Sequence, residues 1–235
     1  MVSNIKILST EMSNKMIKQD AISNNLANIN TYGYKKDDIH FSKIFDSKKN
    51  EFIQKIEIKP DFSQGELIIT KNPLDLAING NGFFTIQTEE DEFYTRNGSF
   101  AKDSDGYLVT QAGDKVLSQN GPIIIHGNSI TFLKNGDIEV DGKYIGTLKI
   151  ISFNKPYPLK KVSGNGVFQN TGKETTINHN AKFEVIQNVL EQSNVSSITE
   201  MINMIKIFNE YESNYKAFQI INDVSKKSIN EIGKF

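Results

Sequence analysis

Residues 197–218 read SITEMINMIKIFNEYESNYKAF, and this stretch decides the fold. Met201, Met204, Phe208, Tyr211, Tyr215 and Phe218 recur at alternating steps of three and four, which places them along one face of an α-helix. Ile198, Ile202, Ile205, Ile221 and Val224 widen the stripe, giving a helix with too much apolar surface to stand alone in water. Ser197 and Glu200 have capping-box spacing: the serine hydroxyl accepts from the Glu200 amide and the carboxylate reaches back. The helix is therefore expected to start at Ser197, and if it runs to about Ile232 it is roughly 50 Å long at 1.5 Å per residue.

The other end of the chain carries the same rhythm. Ile5, Leu8, Met12, Ile22 and Leu26 follow it, with Lys15 and Gln19 interrupting two inner positions. Asn28 to Tyr32 supply helix-ending residues, and Gly33 is free to take the left-handed conformation that closes a helix. From Lys35 to about Ile58 charge is high and periodicity weak, which reads as an extended connector. From Phe62 to about Ile186 short apolar alternations are separated by Asn-Gly and Asp-Gly turns such as Asn97-Gly98, Asp105-Gly106 and Asn135-Gly136, the mark of antiparallel β structure. Expected strands include 66–70, 83–88, 92–96, 107–110, 122–125, 138–140 and 147–153. The fold class is α+β: N- and C-terminal helices pairing as a coiled coil, with an inserted, mainly antiparallel β domain. The corresponding parts are an N-terminal helix (1–33), an extended connector (34–61), a β-rich domain (62–186) and a C-terminal helix (187–235).

Composition narrows the function. The chain has 235 residues, 37% of them hydrophobic, and a mean hydropathy of -0.41. The 27 Lys and Arg against 28 Asp and Glu give a net charge of -1, so no basic field favours a nucleic-acid partner. The absence of cysteine removes disulfides, thiol nucleophiles and thiolate metal sites together. No apolar run approaches the roughly 20 residues of a bilayer span, and the N-terminus lacks a continuous signal-peptide core. The expectation is a protein with no membrane insertion, cytoplasmic or exported without a cleaved signal.

Candidate chemistry dissolves on inspection. Asp103, Asp105 and Gly106 suggest a calcium loop, but Ala101 and Ala112 fill the positions where ligands belong, so a hairpin turn is the better reading. Gly80 and Gly82 lack the third glycine or the Gly-Lys-Ser/Thr of a phosphate loop. His40, His126 and His179 are scattered without zinc-ligand spacing. Ser3 and Lys6 match a Ser-x-x-Lys pattern without its partner motifs. The expected catalytic, metal and cofactor residues are therefore none.

Three blocks carry a resemblance. The first is Asn24, Asn25, Leu26, Ala27 and Asn28, followed by Gly33, Tyr34 and Lys35. The second runs from Asp75 through Gly82, Phe83 and Phe84 to Tyr94, Arg96, Gly98, Phe100 and Gly106. The third is Glu191, Ser193, Asn194 and Val195, then Glu200, Met201, Tyr211 and Glu212. Together they resemble the bacterial flagellar axial family of rod and hook subunits, most like a proximal rod protein, over nearly the whole chain. Tyr34 stands where the family has phenylalanine, and Asn209-Glu210 where it has Arg-Ala. Arg96, the sole arginine, is expected to pair with a carboxylate such as Asp75.

The resemblance implies a structural subunit of the basal-body rod, without enzymatic activity or cofactor, that self-assembles into a torque-transmitting helical tube. It also implies a periplasmic location, type III export without a cleaved signal, and partnership with copies of itself, with other rod and hook proteins and with the export apparatus. Subunit contacts are then expected at Ile5, Leu8, Met12, Ile22, Leu26, Met201, Met204, Phe208, Tyr211, Tyr215 and Phe218. The alternatives are a distal rod or hook-type subunit or, from another class, a secreted β-domain binding or peptidoglycan-acting protein.

Overall fold

The computed structural model describes residues 2–46, 51–88, 91–163, 166–172, 177–178 and 182–232. Helix α1 spans Val2–Ala27 and helix α2 spans Ser197–Ile232, the limits expected for the C-terminal helix. Between them lie β1 (Asp37–Asp46), β2 (Glu51–Pro60), β3 (Leu67–Ile69), β4 (Leu76–Gly80), β5 (Phe83–Gln87), β6 (Glu92–Thr95), β7 (Phe100–Lys102), β8 (Leu108–Thr110) and β9 (Lys115–Ser118). Next come β10 (Gly121–Pro122), β11 (Ile130–Phe132), β12 (Asp137–Val140), β13 (Lys143–Thr147), β14 (Ile150–Ile151), β15 (Leu159–Ser163), β16 (Val167–Asn170), β17 (Phe183–Gln187) and β18 (Val189–Glu191). The chain divides into two compact units, Met1–Ala27 with Asp37–Lys59 and Val195–Phe235, and Asn28–Lys36 with Pro60–Asn194.

In the first unit α1 and α2 pack side by side and β1 packs on α1. On α2 the side chains seven apart at Met204, Tyr211 and Phe218 are half-buried and Ile207 is buried, whereas Met201, Phe208 and Tyr215 are 52%, 61% and 45% exposed. The expected seam is thus split. A single neighbouring helix covers one stripe of α2 and leaves the adjacent one, with Ile198, Ile202 and Ile205, in solvent. On α1, Ala21 and Ile22 are buried and Leu8, Met12 and Leu26 half-buried, while the side chain of Ile5 lies outside the described residues. Lys15, expected to interrupt the seam, pairs across it with Glu210, and Gln19 faces solvent.

The cap of α2 also differs from expectation. The residue before the helix, Ser196, accepts the Thr199 amide at its hydroxyl (3.5 Å) and the Glu200 amide at its carbonyl (3.0 Å). This frees the Glu200 carboxylate from capping. The stretch 34–61, expected to be an extended connector, carries the paired strands β1 and β2. Their alternation of Ile39 with Phe41 and of Ile56 with Ile58 was hidden among charged neighbours.

The second unit is built on a nine-stranded sheet, ordered β15-β16-β6-β5-β9-β8-β7, with β10 beside β9 and β14 beside β5. A three-stranded sheet, β11-β12-β13, and the antiparallel pairs β17-β4 and β18-β3 complete it. Leu76, Ile78, Phe84, Ile86, Phe100, Leu108, Val116 and Ile138 form one core, and Phe83, Tyr94, Phe153, Leu159 and Phe168 a second. Each fully buried side chain of this size contributes about 1.5–3 kcal/mol relative to exposure. The expected strands did not include β4, β7, β9, β11, β13 or β15 to β18; of these, β16 pairs with β6, β17 with β4 and β18 with β3 across long sequence separations.

Candidate functional site, a buried charge cluster where the sequence blocks converge

The three blocks meet in the second unit at a cluster of buried charges. Lys35 is fully buried, Glu191 is 1% exposed and Arg96 5%. Glu191 closes β18, where its carboxylate replaces an apolar side chain in the run Val189-Leu190-Glu191. Its Oε1 accepts from Lys35 Nζ at 2.5 Å and from the Gly65 amide at 3.0 Å, and its Oε2 accepts from Arg96 Nη1 at 3.3 Å. Lys35 Nζ also donates to the Ser63 carbonyl at 2.7 Å. Arg96 donates to the carbonyls of Ile78 (3.0 Å) and Gly80 (2.6 Å), and its guanidinium lies 5.2 Å from the Phe83 ring centroid.

Arg96 therefore pairs with Glu191 and not with Asp75. Asp75 instead accepts from the Asn72 amide nitrogen at 3.0 Å and bridges to Ser99 through its backbone. Burial lowers the pKa of both Lys35 and Arg96, opposed by the charge of Glu191.

Tight backbone contact frames the cluster. Gly33 has φ +67 and lies so close to the Arg96–Asn97 peptide that a Cβ would fall 2.3 Å from its atoms. It does adopt the left-handed conformation, but six residues beyond the end of α1 at Ala27, where it seats the chain on a strand end. Its amide donates to the Glu191 carbonyl at 2.7 Å. Asn194 binds the same crossing: its Oδ1 accepts from the Lys36 amide at 2.7 Å and its Nδ2 donates to the Asp61 carbonyl at 2.8 Å. Tyr34 is buried with the Lys161 ammonium 4.1 Å from its ring centroid.

A second polar node lies within the helical unit. The Asn25 side chain exchanges two hydrogen bonds with the Asp37 backbone, accepting from its amide at 2.8 Å and donating to its carbonyl at 3.0 Å. Asn25 also donates to Glu200 at 3.3 Å, and both residues are buried. One asparagine thus joins α1, β1 and α2.

The remaining block residues are dispersed. Phe83, Phe84, Tyr94 and Phe100 are core, Gly82 and Gly106 take positive φ, Val195 is buried, and Leu26, Asn28, Ser193 and Tyr211 are half-buried. Asn24, Ala27, Met201 and Glu212 are exposed. The Asp103 carboxylate accepts from the amides of Asp105 (3.0 Å) and Tyr107 (2.7 Å), the geometry of a hairpin turn. His40 and His126 are exposed and His179 lies outside the described residues. A cavity of about 340 Å³ has a floor of Ile86, Phe93 and Val167; its Asp114 carboxylate accepts from the Thr110 hydroxyl at 3.2 Å.

Charges directed at the protein's own main chain in one unit, and helices with exposed apolar faces in the other, are features of a scaffold subunit. Comparison with known proteins specifies which kind. Residues 7–35 match the family described as flagella basal body rod protein, 77–144 the flagellar hook protein FlgE/F/G D1 domain, and 186–231 the flagellar basal body rod FlgEFG protein C-terminal. The chain is 31% identical over 228 residues to the flagellar basal-body rod protein FlgF of Caulobacter vibrioides, covering 92% of this chain and 91% of that one. It is 29% identical over 260 residues to FlgG of Buchnera aphidicola subsp. Schizaphis graminum (97% and 98%). It is also 29% identical over 250 residues to FlgG of Bacillus subtilis (93% and 95%). The chain belongs to the flagellar basal-body rod protein family, as a structural rod subunit.

Proposed function

We propose that this rod subunit assembles with copies of itself and with other rod and hook proteins into a helical tube that transmits torque across the periplasm. It acts without catalysis. The observation that carries the reading is the apolar surface left on the helices: Ile198, Met201, Ile202, Ile205 and Phe208 on α2 are each more than half exposed, as are Ile7 and Met16 on α1. A monomer rarely leaves a continuous apolar stripe uncovered. Repetition of one head-to-tail contact that does not close yields an open helix.

In this reading α1 and α2 pair as a coiled coil through Leu8, Met12, Ile22, Leu26, Met204, Tyr211 and Phe218, with Ile5 extending the seam. Met201, Phe208 and Tyr215 meet the next copy, and the β unit adds lateral contacts. The subunit travels through the flagellum's own type III channel without a cleaved signal, and the absence of cysteine spares the unfolded passenger from crosslinking.

The test is assembly of an Ile205→Glu/Phe208→Glu variant, measured by sedimentation and electron microscopy alongside wild type. Loss of polymer with unchanged monomer melting is expected, because both side chains already face solvent. Normal polymer from the variant would refute the assignment.

A further inference from the structure

We infer that the Lys35–Glu191–Arg96 cluster is a folding gate: two cations from early in the chain hold the β unit open until the carboxylate that pairs with both arrives from its far end. Glu191 follows Arg96 by 95 residues and Lys35 by 156. Among the described residues, the other hydrogen-bond partners of the two cations are the backbone carbonyls of Ser63, Ile78 and Gly80, with the Phe83 ring beside Arg96 and the charge of Asp61 adding weaker attraction at longer range, and all of these precede Arg96 in the chain. Neutral carbonyls do not repay the desolvation of two buried charges, so closing the sheet without Glu191 buries uncompensated cations.

The cluster is also poorly explained as a source of stability. A buried ion triad is commonly matched or exceeded by apolar side chains of the same volume, whereas removal of one member is severe. What the charges do that apolar residues cannot is penalise the incomplete state. The strands that complete the unit, β17 on β4 and β18 on β3, come from the same late segment as Glu191. With the gate, β5, β6 and β9 cannot settle before that segment is available, so a partly synthesised chain does not lock into a folded block. This inference rests on the β unit alone, so it and the rod assignment stand or fall separately.

The test is pulse-labelled amide hydrogen exchange during refolding of the full chain. In wild type, the Ile86, Tyr94 and Val116 amides are expected to gain protection in the same phase as those of Val185 and Leu190. In Lys35→Met/Arg96→Met/Glu191→Leu the first set is expected to lead the second, with the final protection pattern retained. Glu191→Gln, which leaves both cations, is expected to raise the open population of the unit roughly 100-fold or more. Early protection of Ile86, Tyr94 and Val116 in wild type would overturn the gate. So would a triple variant that keeps the wild-type order or fails to refold, or a Glu191→Gln chain that exchanges like wild type.

Discussion

Replacing Gly33 and Gly142 by alanine, separately, isolates the contact that seats the chain on the Arg96–Asn97 peptide. Both glycines take left-handed φ, +67 and +74, so alanine meets the same backbone penalty at each, about 1–2 kcal/mol. The restricted unfolded chain returns about 0.4–1 kcal/mol of that. Gly142 has no atom within 4 Å of the added Cβ, and its cost ends there, near 1 kcal/mol by these figures. At Gly33 the same atom would lie 2.3 Å from the Arg96 carbonyl carbon and Asn97 nitrogen, where 3.4 Å begins ordinary contact. Those atoms are backbone at the end of a central strand and cannot rotate away. Overpacking of this kind adds about 1–3 kcal/mol, and displacement also stretches the 2.7 Å bond from the Gly33 amide to Glu191. The assay is native-state hydrogen exchange at Ile86 and Tyr94, which reads opening of the β unit itself. Gly33→Ala should destabilise the unit by about 1–3 kcal/mol more than Gly142→Ala. Equal effects, within about 0.5 kcal/mol, would show that Gly33 is held for its φ alone and refute the seating argument.

Further outcomes follow from the other polar contacts. Asn25→Ala removes both bonds to Asp37 and the one to Glu200, and should cost the helical unit about 1–3 kcal/mol in chemical denaturation; Ser23→Ala, at an exposed position of the same helix, serves as the comparison. Glu210 has its pKa lowered by the hydrogen bond from Lys15, so the stability it contributes is full above the ordinary value of 4.5 and is lost as pH falls through and below it. Acid titration of the helical circular dichroism signal should therefore be steeper in wild type than in Lys15→Met, and the difference should shrink in high salt because the carboxylate is 37% exposed. Asn194→Ala leaves the Lys36 amide and the Asp61 carbonyl without their side-chain partner, and should raise exchange at the 34–36 and 61–63 crossings before the sheet core responds.

The terminal helices were legible because period-3.6 apolar spacing is a local property. What spacing could not give was which of two adjacent stripes α1 would cover. Met204 and Met201 are equivalent in a heptad reading and differ only once a neighbour is placed. Turn dipeptides located most of the sheet for the same local reason, whereas β17 and β18 pair with β4 and β3 across more than a hundred residues and leave no short-range trace. The charge cluster lay between these cases. A lone arginine after a strand and a glutamate inside Val189-Leu190-Glu191 both signal a buried charge needing a partner, but sequence distance favoured Asp75 over a carboxylate 95 residues away. Glu200 was drawn to Ser197 by the same preference for the near partner. Ser196 caps the helix instead, and Glu200 binds Asn25.

The most direct test of the account is spin-label mobility at single cysteines in α2, clean because the chain has none of its own. Phe208→Cys and Tyr211→Cys sample the exposed and half-buried faces of one helix. The label at 208 should be mobile in the monomer and immobilised in the assembled polymer, while the label at 211 is restrained in both. A label at 208 that stays mobile in the polymer would contradict the claim that the uncovered face of α2 is where one copy meets the next.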